Sequence, residues 1–272
     1  MSVICHQAAR THRRSLADLI AASHRGAGVL RGGKELALLV GLYVGYSASR
    51  LLAGQDVAGA AERARSLVHL EDVLGWDVEL TLNHWVSGVP SLAIASSYWY
   101  SALHYVVTPM VLWMTYRWQR DEYGRARTVL VVATSISLVA YILLPTAPPR
   151  LMDGGWIDTL HMYEWAGWWS GHASAPGGLA SYTNELAAMP SMHVGWAVWV
   201  AWRLGRLGRT WRVVGTAYAA VTSFVVVGTG NHWVLDGVVG AALVMACILA
   251  SHRPSVGAAV ANRGARSADD GG

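Results

Sequence analysis

The chain has 272 residues, of which 53% are hydrophobic and only 14% charged, with a formal net charge of +4 and a mean hydropathy of +0.31. This is too apolar for an ordinary soluble domain and indicates one polytopic membrane domain. Cys5 lies in a basic tail and Cys247 in an apolar run, so neither a disulfide framework nor a thiolate metal site is supported.

Residues 1–34 carry Arg10, Arg13, Arg14, Arg25, Arg31 and Lys34 without an apolar core and cleavage-like site. They read as a cytoplasmic basic arm. The membrane domain is expected over 35–250, and a first span from about Leu36 to Leu52, near the lower length limit for crossing. From Asp56 to Pro90 acidic residues (Glu62, Glu71, Asp72, Asp77, Glu79) alternate with an apolar helical stripe. That pattern suits an amphipathic segment lying on the membrane or capping the bundle, and equally an extramembrane helix pair.

A second span is expected from about Leu92 to Tyr116, with tyrosines and tryptophans towards its ends and His104 and Pro109 interrupting it. An intramembrane His is a functional candidate, although an interhelical hydrogen bond would also account for it. The third span, about Thr128 to Leu144, stops at Pro145, because Pro145-Thr146-Ala147-Pro148-Pro149-Arg150 cannot continue a helix. A long loop follows to Met189, rich in Gly and in Trp156, Trp165, Trp168 and Trp169, and reads as lying at the membrane interface. Spans four to six are expected at about Ser191–Leu204, Val213–Gly228 and His232–Ala250, and residues 251–272 read as a disordered cytoplasmic tail. The expected fold is all-α, a six-transmembrane-helix bundle.

Of the 21 Lys and Arg, 17 fall in the amino-terminal arm, the 117–127 and 203–212 connectors and the tail. The positive-inside rule makes that side cytoplasmic, with both termini. The end of span three and the starts of spans four and six then share the extracytoplasmic side, where Arg150, His193, His232 and Asp236 can converge. The expected location is a plasma membrane, bacterial by the compactness of the chain.

Two short stretches carry the chemistry: Pro190-Ser191-Met192-His193 and Asn231-His232-Trp233-Val234-Leu235-Asp236. With Ser191 as N-cap, His193 falls in a first helical turn, whose free N–H groups and positive end favour an anion such as phosphate. His232 is expected to begin another helix, with Asp236 one turn later on the same face to orient its imidazole. Such a pair can supply a nucleophile that attacks phosphorus, His193 a proton for the departing oxygen, and Arg150 a fork of donors for phosphate oxygens. Taken singly, each residue also fits a structural role, as polar anchor or interhelical partner. A metal site of His193, His232 and Asp236 matches a two-His, one-carboxylate set.

These residues resemble the type 2 phosphatidic acid phosphatase (PAP2) superfamily, within it the branch of inositol phosphorylceramide synthase-like phosphotransferases. Pro190-Ser191-Met192-His193 is similar to the second motif, P-S-G-H in the phosphatases and P-S-L-H in the synthase-like branch. His232 to Asp236, followed by Gly237 and Gly240, is similar to the H-x3-D core of the third, and Pro148-Pro149-Arg150 to a P-P-R variant of the first. The resemblance covers roughly Leu92 to Ala250. It implies a six-helix membrane enzyme with His232 as nucleophile, Asp236 as its partner and His193 as acid, needing no metal or other cofactor. The chain departs from the pattern at Val225 and Val226, where the superfamily has Ser-Arg, and at Leu143 and Leu151, which replace the Lys and Pro of K-x6-R-P. Ser191, with Asn231 or Thr229, is left to supply part of the phosphate contacts beside Arg150. The expected partners are membrane lipid, a lipid-phosphate substrate and, for transfer rather than hydrolysis, an alcohol acceptor; no nucleic acid is expected. A non-catalytic lipid-phosphate binding or transport protein would use the same pocket.

Overall fold

A computed structural model describes residues 37, 38, 40–42, 44–48, 56–76, 78–170, 173–176 and 184–252. The basic arm, all of the tail beyond 252 and parts of the first span and the tryptophan-rich loop lie outside these residues. The chain divides into two units, 1–45 and 46–272. In the first, the described residues are helical. The second holds every helix and strand from Val57 onward.

Helix α1 (Val57–Leu74) begins at Asp56, whose side chain accepts from Gly59 N, and ends at Gly75, whose φ of 69° closes a left-handed cap. Arg63 donates to Asp56 and to the Pro145 carbonyl, both at 2.6 Å. The bond to Arg63 holds the Asp56 carboxyl below its ordinary range. Helix α2 (Glu79–Gly88) leads into α3 (Pro90–Tyr98), which has proline at its first position, where no N–H is needed. A π-helical turn, Trp99–Leu103, then joins α3 to α4 (His104–Trp118). The expected interruption near His104 is thus a local change of winding that keeps the helical run continuous, and Pro109 sits inside α4.

Helix α5 (Arg120–Leu143) ends before Pro145 as expected. The loop after it holds more structure than its composition suggests: a 3-10 turn at Pro149–Leu151, the short α6 (Thr159–Met162), a 3-10 turn at Glu164–Ala166 and a two-stranded antiparallel ribbon, β1 (Trp169–Ser170) with β2 (Ala173–Pro176). Its tryptophans do not all face an interface. Trp169 is buried, with Nε1 donating to the Leu160 carbonyl, and Trp156 packs edge-on against Trp233, while Trp165 and Trp168 are exposed. Three further helices follow among the described residues: α7 (Met192–Leu204), α8 (Arg209–Gly228) and α9 (Val234–Ala250).

Among the described residues two helices, α5 and α8, are long and apolar enough to cross a membrane, and α9 is a shorter apolar helix. The remaining spans of the six-helix expectation are therefore not established by length. At 13 residues, α7 rises about 20 Å, less than a hydrocarbon core of about 30 Å.

The main core lies between α4, α5, α7 and α9, where Val111, Val129, Ala133, Trp199, Val200, Val244 and Ile248 are buried together. Trp199 also donates to the Ala126 carbonyl of α5. The bundle has two chemically different ends. At one, Arg203 of α7 bonds Glu122 and Gln119 at the start of α5, and Arg125 donates to Ser251 beyond α9. At the other, α1 and the loops after α5 and before α7 meet around the buried Trp233, whose Nε1 donates to the Ala147 carbonyl.

Candidate active site

The second end owes its shape to backbone pairing between the two proline-containing loops. Thr146 N donates to the Leu186 carbonyl and Ala188 N to the Thr146 carbonyl, and Tyr141 of α5 donates to the Pro190 carbonyl at 2.7 Å. These bonds deliver Ser191 to the start of α7, where it is the N-cap and its hydroxyl accepts from Val194 N. Its hydroxyl therefore serves the helix, and its backbone N donates to the Asp236 carbonyl. His193 follows in the first turn, as the spacing predicts.

His232 departs from expectation. Helix α9 starts at Val234 with Trp233 as N-cap, so His232 stands before the helix and does not share a helical face with Asp236. The pair meets all the same. His232 Nδ1 lies 3.4 Å from Asp236 Oδ2 and 2.9 Å from the Ala188 carbonyl oxygen. A carbonyl can only accept, so Nδ1 carries a proton, and Nε2 is the nitrogen that bears the lone pair of the neutral ring. Asp236 Oδ2 also accepts from Trp233 N at 2.9 Å, closing the turn that carries His232.

The aromatic rings gather around His193. His232 lies edge-on to it with centroids 5.5 Å apart, Tyr100 is stacked on it at 4.3 Å and His104 meets it edge-on at 4.4 Å. Tyr100 and His104 come from the π-turn and the residue after it. A π-turn of this kind often accompanies functional sites, and here it brings both rings onto one histidine. Ser101 Oγ, His104 Nδ1 and Thr108 Oγ1, along the same run, are buried without hydrogen-bond partners among the described residues.

Arg150 approaches through the 3-10 turn. Its Nε donates to Asn231 Oδ1 at 3.0 Å, its backbone N donates to the Gly230 carbonyl, and Asp158 lies 3.8 Å from Nε. Asn231 in turn donates to Thr229 Oγ1. Arg150 and Asn231 thus form one unit directly before His232, and Arg150 Nη1 remains buried with no partner among the described residues, a donor that an anion would satisfy. Val225 and Val226, at the positions of the superfamily's Ser-Arg, are buried in an apolar cluster with Val194 and contribute no phosphate contact. Among the described residues no group of three or more His, Cys, Asp or Glu is arranged to hold a metal ion.

Two glycines permit this packing. Gly230 has a φ of +72°, and a Cβ there would meet the Ile157 carbonyl at 3.0 Å. At Gly240 a Cβ would lie 2.1 Å from the Ser191 carbonyl oxygen and 2.9 Å from its carbon. The atoms in the way are backbone, so Gly240→Ala must push α7 from α9 and separate His193 from His232. Its expected effect is a loss of about 1–3 kcal/mol of stability and about 10²-fold in turnover. Thermal unfolding and rate measurements on the variant check both, and wild-type values would contradict the close approach.

Sequence reading passed over three further contributors. Glu71 and Glu79 accept from backbone N–H groups at the start of α9. Asn83 bridges α2 to Ile157 and to the Gly228 carbonyl. The signal for them was the helical stripe: in α1 the buried positions run Ala60, Ala64, Leu67, Glu71, and in α2 Glu79 and Asn83 lie one turn apart on the buried face. A carboxylate on an apolar stripe needs a partner.

Residues 65–250 match the model of the PAP2 superfamily. No curated protein and no solved structure matches the chain. The family match spans more than half of the sequence, and the chain belongs to the PAP2 superfamily, whose members are phosphatases and phosphotransferases.

Proposed function

From that membership as premise, we propose that the protein is an integral-membrane, metal-independent lipid phosphatase or phosphotransferase of the synthase-like branch. It acts on a lipid phosphate or phosphodiester through a phosphohistidine intermediate. The observation that carries this reading is His232, its Nδ1 proton held by the Ala188 carbonyl and Asp236 and its ring edge-on to His193 at 5.5 Å.

In the first step the Nε2 lone pair of His232 attacks phosphorus and the bond from phosphorus to the leaving oxygen breaks. That oxygen takes a proton from His193, while the imidazolium formed at His232 is stabilised by the Asp236 carboxylate. In the second step water or an alcohol attacks the phosphohistidine, gives its proton to His193 and frees His232. Arg150 balances charge on the equatorial oxygens, with Asn231 fixing its guanidinium. Ser191 acts on the phosphate through the helix start it caps rather than through its hydroxyl.

In this reading the chain crosses the membrane six times, with both termini in the cytoplasm and this site on the extracytoplasmic face of a bacterial plasma membrane. The two-ended bundle supports that orientation, since Arg117, Arg120, Arg125, Arg127, Arg203, Arg206, Arg209 and Arg212 all belong to the end away from the histidines. Purified protein given labelled lipid phosphates in EDTA, with and without an alcohol acceptor, is expected to release phosphate or form a new phospholipid. The product separates hydrolysis from transfer, and binding without turnover of any substrate would favour a lipid-phosphate carrier.

A further inference from the structure

Helix α9 starts on three carboxylates. Trp233 N donates to Asp236 Oδ2 at 2.9 Å, Val234 N to Glu79 Oε1 at 3.1 Å and Leu235 N to Glu71 Oε1 at 2.7 Å. Three successive backbone N–H groups, those following His232, are thus each taken by an acid. Asp236 belongs to α9, whereas Glu71 and Glu79 reach across from α1 and α2. All three are buried, with relative exposures of 0% for Asp236, 1% for Glu71 and 4% for Glu79.

Three anions cannot share so small a volume at full charge. A helix N-terminus favours negative charge, but by the equivalent of about half a unit. The second oxygen of Glu71, Oε2, has no donor among the described residues, and the Glu71 carboxyl feels the charges of Glu79 and Asp236. A proton on Oε2, donated to Glu79, resolves both the missing partner and the repulsion.

We propose that Glu71 and Glu79 are positioning residues for the phosphoryl-transfer site, a carboxyl pair that shares one proton and clamps the first turn of α9, so holding Asp236 against His232. The proposal rests on the phosphohistidine reading for its effect on rate. It assigns a purpose to the acidic segment between the first and second expected spans: α1 and α2 anchor the helix that carries the catalytic aspartate. Burial first, then the hydrogen bond Glu71 donates to Glu79 and the charges of Glu79 and Asp236, push Glu71 up to about 8 from an ordinary 4.5. Glu71 is therefore neutral at pH 7. Because its folded value lies above its unfolded one, its contribution to stability is fully present below about pH 4.5 and is lost as pH rises through about 8. Once it ionises, Glu71, Glu79 and Asp236 repel one another and the clamp opens.

The test compares wild type, Glu71→Gln and Glu71→Ala in lipid nanodiscs, measuring kcat, KM and Tm from pH 6 to 9.5. A glutamine keeps the acceptor for Leu235 N and supplies a neutral donor to Glu79, as the protonated acid does. Glu71→Ala is expected to lower kcat by about tenfold or more at pH 7 with KM within about twofold, and Glu71→Gln to recover most of that loss. The fall of Tm in wild type above about pH 8 is expected to vanish in Glu71→Gln. Equal Tm–pH curves for wild type and Glu71→Gln would overturn the shared proton, and an unchanged kcat in Glu71→Ala would overturn the positioning role. If wild type turns over no lipid phosphate, the phosphoryl-transfer reading fails by itself, and the clamp is decided by the Tm–pH curves alone.

Discussion

Replacing His232 by Ala is expected to reduce lipid-phosphate turnover by at least about 10³-fold, in EDTA as in its absence. The size follows from the role: without Nε2 no bond to phosphorus forms, and no neighbouring group can replace it on the same trajectory. The His193 ring is committed elsewhere, stacked on Tyr100 and edge-on to His104. The same substitution leaves the Ala188 carbonyl without its donor, at a cost of about 1–3 kcal/mol. Tm should fall by only a few degrees, so that lost rate is separable from lost fold. A His232→Ala protein that keeps a tenth of wild-type kcat would remove His232 from the chemistry.

The second large effect concerns His193, and the substrate decides its size. On a lipid phosphate the leaving group is a poorly acidic alcohol that needs a proton as the bond breaks, and His193→Asn is expected to cost about 10²–10⁴-fold in kcat. On a nitrophenyl phosphate the leaving phenolate departs without a proton, and the cost to the phosphorylation step, read as the pre-steady-state burst of nitrophenolate, should shrink to about tenfold or less, while water attack on the phosphohistidine still needs His193 as base. His232→Ala should be equally inactive on both. If His193→Asn slows phosphorylation by the same factor on the two substrates, its role is binding or structural rather than proton donation.

Much of this was readable from residue order. The helix stop at Pro145, the N-cap at Ser191 and the apolar stretches that become α5, α8 and α9 follow from proline chemistry, capping and hydropathy, which are local properties. The convergence of Arg150, His193, His232 and Asp236 was inferred from shared sidedness; the fold sets His193 beside His232 and His232 beside Asp236, and holds Arg150 on Asn231, the residue before His232. What local pattern could not reveal was where backbone partners come from. Spacing of four between His232 and Asp236 suggested a common helix face, yet the helix begins at Val234 because Trp233 N is already held by Asp236 Oδ2. Likewise the Ala188 carbonyl that sets the His232 tautomer becomes visible only when two distant loops pair through Thr146. Glu71 was read only as one of the acids of an amphipathic segment, although its place in register with Ala60, Ala64 and Leu67 marked it as buried.

The proposed mechanism requires a covalent bond from phosphorus to His232, which can be trapped. Wild type, His232→Ala and His193→Asn are mixed briefly with lipid phosphate labelled in the phosphoryl group, quenched in alkali and analysed for protein-bound label and its acid lability, as a phosphoramidate requires. Acid-labile label on wild type, and more slowly on His193→Asn, located in the peptide containing His232 and absent from His232→Ala, is the expected result. Product formation by wild type with no labelled protein at any time, or equal label on His232→Ala, would contradict the phosphohistidine mechanism.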